Sequence, residues 1–348
     1  MAKVKKDKSD APSKTAEDLL FKGFSECITN ADYIKDLRSD VVSISPKFDL
    51  GLSGGIPFGS FCLVSGKPGQ GKSSLSLHIA AQAQEMCEDT VVYYFDIEGR
   101  IKYKDLLGNR KLNLDDSRFK LIQSKVGRIL TGDEFIEIGE KLINAKQKCV
   151  FIFDSFSAIS TKARQDADIK DRFRDDANLL LSSFCKRISQ VIPINQSILI
   201  GICHVIADPG PSRSQWTEAG GNKIKYQADV KIMGTYYQPW QVGEEIVGQI
   251  THWKVDKSAL GPPFGEVTSY IRYGHGFDEY AELIELAVDI GIIQKGGAWY
   301  SYKENKYQGA EKFRNFLLSD KIAFDEIKTQ LDSIYKPSKK AEEVVADE

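Results

Sequence analysis

One run of eight residues constrains this chain more than any other: Gly66-Lys67-Pro68-Gly69-Gln70-Gly71-Lys72-Ser73. It matches G-x-x-x-x-G-K-[ST] and lies between an apolar stretch, FCLVS, and a longer helical one. Small residues let successive backbone N–H groups turn inward around phosphate oxygens, and the helix that follows adds the positive end of its dipole. In this arrangement Lys72 reaches the β- and γ-phosphates and the Ser73 hydroxyl ligates Mg²⁺, with Ser74 beside it at the helix start. The plain alternative is a chance glycine-rich turn, and the strand-then-helix context argues against it.

The surrounding pattern fixes the fold class. Apolar strands are expected at Phe61–Ser65, Val91–Asp96, Lys120–Gln123, Cys149–Asp154 and Ile198–His204. Helical periodicity falls between them at Lys72–Cys87, Gly132–Lys146 and Asp175–Val191, which reads as βαβ units and a mostly parallel sheet. Beyond His204, the alternating segments DVKIMGTYY, IVGQITHWKV and VTSYIRY read as antiparallel strands that extend the sheet. The chain is thus α/β, with a short helical N-terminal segment (15–40), a core over 41–274 and a small α/β C-terminal domain over 275–336. A Lys-rich arm expected to be disordered (1–14) and an acidic tail (337–348) flank these units.

Composition removes whole classes of function. Hydrophobic residues at 42% and charged residues at 28% exclude a fibre or a globally disordered chain. Forty-seven basic side chains against 49 acidic ones exclude a wholly basic nucleic-acid coat, though not a local basic surface. No apolar run of about 18 residues exists, so no membrane span is expected. The polar start MAKVKKDKSDAPSK is not a secretory leader. The six cysteines form no CxxC pair, and the four histidines show no metal-ligand spacing. The expected compartment is reducing and cytoplasmic.

Two more strand ends complete a triphosphate site. CVFIFD is an apolar strand ending in Asp154, a carboxylate placed to hold the metal's hydration shell; its bland reading is a cap on the next helix. VVYYFDIE ends in two acids, of which Glu98 is the candidate general base and Asp96 the structural one. An exposed loop acid is the plain alternative for Glu98. His204 ends a neighbouring strand, where a polar side chain can sense the γ-phosphate and report its loss to the following loop; a satisfied core-edge histidine is the alternative. Two loops carry cations that could meet nucleic-acid phosphates: Thr161–Arg174, with Lys162, Arg164, Lys170, Arg172 and Arg174, and Ile206–Asn222, with Arg213, Trp216, Gly220 and Gly221, followed by Lys223. Local composition alone favours ordinary solvated loops for both.

Read in order, the glycine-rich turn, the DIE strand end, FIFDS, the His-ended strand and the GGN loop resemble the RecA-type recombinases. TEAGGNKIKYQADVKI, IRYGHGFDEYAELIELAVDIGII and KGGAWYSYKENKYQG strengthen the likeness, which spans roughly Ser43 to Leu318. Divergence elsewhere points to a phage-encoded, UvsX-like member. The resemblance implies an ATP- and Mg²⁺-dependent filament on single-stranded DNA that pairs it with homologous duplex and hydrolyses ATP in response to DNA. It implies catalytic roles for Glu98, Lys72 and His204, and backbone-phosphate contacts from Ser182, Lys186, Gly220, Gly221 and Asn222. Lys257 falls at one of two positions that reach a neighbour's nucleotide; Val255 occupies the other, with Lys254 adjacent. Tyr226 falls at an interface aromatic position, and residues 15–40 are expected to pack on the adjacent protomer. Tyr103 has two readings, stacking on adenine or a surface role. The implied partners are single-stranded DNA, homologous duplex, further copies of the chain, a loader and a single-strand-binding protein, with no membrane. The rival readings are a recombination mediator or scaffold on the same fold and a hexameric DNA helicase.

Overall fold

The computed structural model describes residues 40–109, 111–167, 176–207, 216–218, 222–263 and 265–335, together with Phe24 and residues 27–29. The basic arm, nearly all of the expected N-terminal helical segment and the acidic tail lie outside the described residues. So do Lys170, Arg172, Arg174, Arg213, Gly220 and Gly221, and the side chains of Trp216, Asn222 and Lys223.

The central strands are β1 (Phe61–Gly66), β2 (Val92–Asp96), β3 (Phe119–Gln123), β4 (Val150–Asp154) and β5 (Ile198–Ala207), then β6 (Trp216–Glu218), β7 (Val230–Val242), β8 (Glu245–Lys257), β9 (Gly265–Arg272) and β10 (Gly276–Phe277). Among the described residues these form one sheet in the order β10-β9-β8-β7-β1-β5-β4-β2-β3, with β6 pairing β5. The half from β7 to β3 is parallel, and β7 through β10 run antiparallel. The five expected core strands are present, and the parallel-then-antiparallel arrangement follows the change of pattern after His204.

Burial on both faces explains why these strands read as nearly unbroken apolar runs. Along β4, Val150 and Ile152 join one core cluster while Phe151 and Phe153 join the other. The first face packs under helix α2 (Lys72–Met86), whose Leu75, Ile79 and Ala80 are fully buried; α1 (Pro46–Gly51) lies earlier in the chain, and α3 (Tyr103–Leu107) follows β2. The second face packs under α4 (Gly132–Ala145) and α5 (Ala177–Ile188), around stacked Phe95 and Phe153 rings 4.2 Å apart. Helix α4 starts where the sequence TGDE directs. Thr131 Oγ1 accepts from Glu134 N at 3.3 Å, and Glu134 Oε2 accepts from Thr131 N at 2.8 Å, a reciprocal capping box.

A short helix, α6 (Asn222–Gln227), leads into β7. The C-terminal region has its own core around Leu283, Phe313 and Ile327. It comprises α7 (Glu279–Asp289), a three-stranded sheet of β11 (Gln294–Gly296), β12 (Trp299–Tyr302) and β13 (Asn305–Gln308), then α8 (Ala310–Ser319) and α9 (Lys321–Tyr335). Ion pairs fasten it: Arg314 and the buried Asp278 meet at 2.6 Å, and Arg272 pairs with Glu311 at 2.8 Å.

Register then sets the working end of the sheet. Gly66 pairs with His204, and Asp96 pairs with Asp154, so the glycine-rich turn, both acidic strand ends and the histidine emerge along one edge. The carboxyl ends of parallel strands are where open α/β sheets take their ligands.

Candidate nucleotide site and DNA-contact surface

The turn between β1 and α2 is held open as a cradle. Gly69 and Gly71 sit at φ +81° and +79°, a region closed to most side chains, and a Cβ on Gly71 would lie 2.5 Å from Ile271 Cδ1. Gln70, buried inside the turn, accepts from Lys67 N at 2.6 Å and donates to the Thr235 carbonyl on β7 at 2.8 Å. Gln249 on β8 donates to the Gly69 carbonyl at 3.2 Å. The antiparallel extension thus braces the turn from one side.

Lys72 Nζ donates to the Lys67 carbonyl at 2.9 Å, folded back across the turn. Burial lowers its pKa, while Asp154 and Glu98 work in the opposite direction. Ser73 Oγ donates to Asp154 Oδ2 at 2.6 Å, and Tyr94 OH donates to the same oxygen at 2.6 Å. A serine hydroxyl and a carboxylate in direct contact at the start of the helix are the oxygen donors Mg²⁺ prefers beside a triphosphate, so these residues fit that ion. Asp96 instead receives the N–H groups of Arg100 and Ile101 at 3.1 and 3.2 Å, the structural task expected of it.

Glu98 is held on one side. Its Oε1 accepts from Ser155 Oγ at 2.7 Å and from His204 Nε2 at 2.8 Å, and Oε2 lies 3.7 Å from the Arg100 guanidinium. Burial alone would raise this carboxyl, but the Ser155 and His204 hydrogen bonds outweigh it and hold the group below the usual glutamate value. An ionised Glu98 requires the proton on His204 Nε2. The other ring nitrogen, Nδ1, is buried without a hydrogen-bond partner among the described residues. Ser157 Oγ accepts from His204 N at 2.8 Å and fixes the strand at that point.

These groups line a cleft of about 650 Å³. Pro68, Gly69, Lys72, Ser73, Ser74, Glu98, Asp154 and His204 are all on its wall, so the structure gathers the sequence-derived phosphate and hydrolysis candidates into one place. Its far end was not legible in the sequence. Lys104, Asn109 and the turn from Tyr273 to Gly276 close it, with Gly276 (φ +85°) so near α3 that a Cβ would approach the Gly108 carbonyl to 3.2 Å. Tyr103 is 70% exposed at the start of α3, on the helix whose Lys104 and Asp105 face the cleft. Tyr94, Ser155 and Arg100 were also missed. Ser155 follows Asp154 directly and carried a signal; Tyr94 did not, because only the β2–β4 register brings its hydroxyl to Asp154.

The remaining candidates lie elsewhere. Lys254 pairs with Asp256 at 2.7 Å, and Lys257 Nζ donates to the Ala228 carbonyl. Both stand on β8, three strands from β5 in the sheet order, and neither lines the cleft of its own chain. Lys162 and Arg164 occupy a short helix, Lys162–Asp166, capped by Thr161. Ser182 and Lys186 lie one turn apart on α5, with Ser182 Oγ donating to the Asn178 carbonyl at 2.6 Å. Tyr226 on α6 is 80% exposed. The six cysteines are free thiols. No helix among the described residues is long and apolar enough to cross a membrane.

A parallel sheet whose first strand turns through a glycine cradle into a helix, with a hydroxyl–carboxylate pair at its mouth, defines a P-loop nucleotide-binding protein. Comparison with known proteins narrows that class. The RecA N-terminal domain family matches residues 31–278, and the RecA C-terminal domain family matches residues 281–336. Protein RecA of Geobacter metallireducens is 32% identical over 266 residues, covering 76% of each chain. Protein RecA of Geobacter sulfurreducens is 31% identical over 284 residues, covering 80% of this chain and 81% of the relative. That of Allorhizobium ampelinum is 31% identical over 291 residues, covering 83% and 77%. The chain belongs to the RecA family, the ATP-dependent DNA recombinases.

Proposed function

We propose that the chain is a DNA-stimulated ATPase that assembles as a filament on single-stranded DNA and exchanges strands with homologous duplex. The observation that carries this reading is the Glu98–His204 hydrogen bond at 2.8 Å. It joins the candidate hydrolytic carboxylate to the strand that leads into Ile206–Asn222, the loop read in the sequence as a candidate DNA contact.

The chemistry follows from the donors present. The backbone of Gly66 to Ser74, through every N–H except at Pro68, which has none, and the Lys72 ammonium would hold the β- and γ-phosphates of ATP. Ser73 and Asp154 would hold Mg²⁺, which supplies charge neutralisation at the phosphate oxygens when bound. Glu98 takes the proton of the attacking water as its oxygen bonds to the γ-phosphorus and the bond to the β,γ-bridging oxygen breaks. His204, donating to Glu98, ties the geometry of that base to the loop beyond β5.

On the DNA side, Lys162, Arg164, Arg172, Arg174, Lys186, Arg213 and Lys223 would neutralise phosphates, with Ser182, Trp216, Gly220, Gly221 and Asn222 adding polar and backbone contacts. Backbone contacts leave base edges free, so affinity should fall steeply with salt and depend little on sequence. Lys257 and Lys254 would serve a neighbour's nucleotide, for which Lys257 must leave the Ala228 carbonyl. Tyr226 and residues 15–40 would contribute to the filament interface, and a loader and a single-strand-binding protein would act with it. The relatives named above are bacterial, and a phage origin rests on sequence divergence alone.

The test is ATP hydrolysis with and without single-stranded DNA, for the native chain and Glu98→Gln. Removing a general base should cost roughly 10²- to 10⁴-fold in kcat while ATP-dependent DNA binding survives. Hydrolysis that ignores DNA would sink the reading.

A further inference from the structure

The cleft contains a cation to which the chemistry above gives no task. Arg100 leaves the turn after β2, two residues beyond Glu98. Its main chain is fixed, because its N–H donates to Asp96 Oδ1 at 3.1 Å and the next N–H, of Ile101, donates to Oδ2 at 3.2 Å. Its side chain is 83% exposed and meets Glu98 Oε2 at 3.7 Å, an ion pair that water screens. Oε1 already takes Ser155 and His204. Oε2 is therefore the oxygen left for a water, and Arg100 stands beside it.

The other cations considered for this chemistry are engaged. Lys72 donates to the Lys67 carbonyl, Lys257 to the Ala228 carbonyl, and Lys254 pairs with Asp256. Position 255, where a second lysine would reach a neighbour, is a valine buried in the core.

We propose that Arg100 is a catalytic residue supplied in cis, its guanidinium passing from Glu98 Oε2 to the γ-phosphoryl oxygens of bound ATP. Phosphoryl oxygens carry more charge than one carboxylate and match the planar fork of the guanidinium in two hydrogen bonds, so the exposed pair with Glu98 is readily exchanged. One movement then does two things. It puts positive charge where the transition state gathers negative charge, and it uncovers Oε2 to receive the proton of the water.

The inference rests on the ATPase reading, and the experiment separates the two. Hydrolysis at saturating single-stranded DNA is measured for the native chain, Arg100→Ala and Arg100→Gln, with and without added guanidinium ion. Trapping of ADP–aluminium fluoride is measured beside plain ADP binding. The expected result is a kcat lower by roughly 10²- to 10³-fold in both variants, partial rescue by guanidinium, and loss of trapping with ADP binding retained. A kcat within about twofold of the native value overturns the inference and leaves the ATPase reading standing. A lower kcat with trapping intact and no rescue also overturns it, because Arg100 would then act only by positioning Glu98. A native chain indifferent to DNA removes both.

Discussion

Glu98, in the cleft at the ends of the parallel strands, and Glu282, on α7 where it packs against α1, are both carboxylates taken largely out of water, yet their surroundings push them in opposite directions. Glu98 receives two donors on one oxygen and is held below the ordinary glutamate value. Glu282 is fully buried, accepts a long 3.4 Å bond from Lys47 N on Oε2, and has no partner on Oε1. Burial pushes it up to about 8, eased in part by Ser45 and Lys47 and worsened by Glu279. Burial acts on both residues; hydrogen-bond donors decide the outcome. The hydrolytic end places two donors on one Glu98 oxygen, whereas Glu282 keeps one oxygen with none.

The largest effect should come from a well-satisfied acid at that junction. Asp278 is buried, accepts from Arg314 Nε at 2.6 Å and caps α7 by accepting from Ala281 N at 3.0 Å. Asp278→Ala takes from Arg314 its closest partner, leaving Glu311 at 3.6 Å, and removes the cap, so urea unfolding should register a loss of about 3–5 kcal/mol. A loss under about 1 kcal/mol would show that the pair is solvated and that the two regions do not differ as described.

Next comes the pH dependence of the under-satisfied acid. The unfolded carboxyl ionises near 4.5 and the folded one near 8, so between those values the folded chain binds the extra proton. Stability from this group is therefore full below about 4.5, falls as pH rises to about 8, and is level above. Glu282→Gln, a neutral isostere, should flatten that slope and gain on the order of a few kcal/mol at pH 8, with little change at pH 4.5. Unfolding curves for the two proteins across this range check it, and parallel slopes would assign the dependence to other groups.

The smallest effect sharpens the cleft side. Tyr94→Phe removes one of the two hydroxyls on Asp154 Oδ2 while leaving Ser73 in place. A loss of about 1–2 kcal/mol in unfolding free energy is expected, since a hydrogen bond to a charged group is stronger than a neutral one. A neutral result would mean that Ser73 alone satisfies the carboxylate.

Much of the cleft was legible beforehand because its parts are local. The glycine turn, the acids that end β2 and β4, and the histidine that follows an apolar run all announce themselves within a few residues, and parallel pairing brings such strand ends to one edge. Arg100, Tyr94 and the turn at Gly276 announced nothing, since each acts on a residue supplied by another element or by a turn of no recognisable pattern. The C-terminal junction was opaque for the same reason. Nothing in ELIELAV distinguishes Glu282, buried at 0% exposure, from Glu285, which pairs with Lys47 at 2.6 Å.

The sequence alone determined the α/β class and the nucleotide cradle, because periodicity and small-residue turns are set by neighbours along the chain, and its ordered motifs carried the resemblance to the recombinase family. Only the tertiary structure decided which oxygen of Glu98 is occupied, which lysines are already committed and which buried acid lacks a donor. Those outcomes depend on distances of about 3 Å between residues far apart in the chain, and strand register and helix docking set such distances.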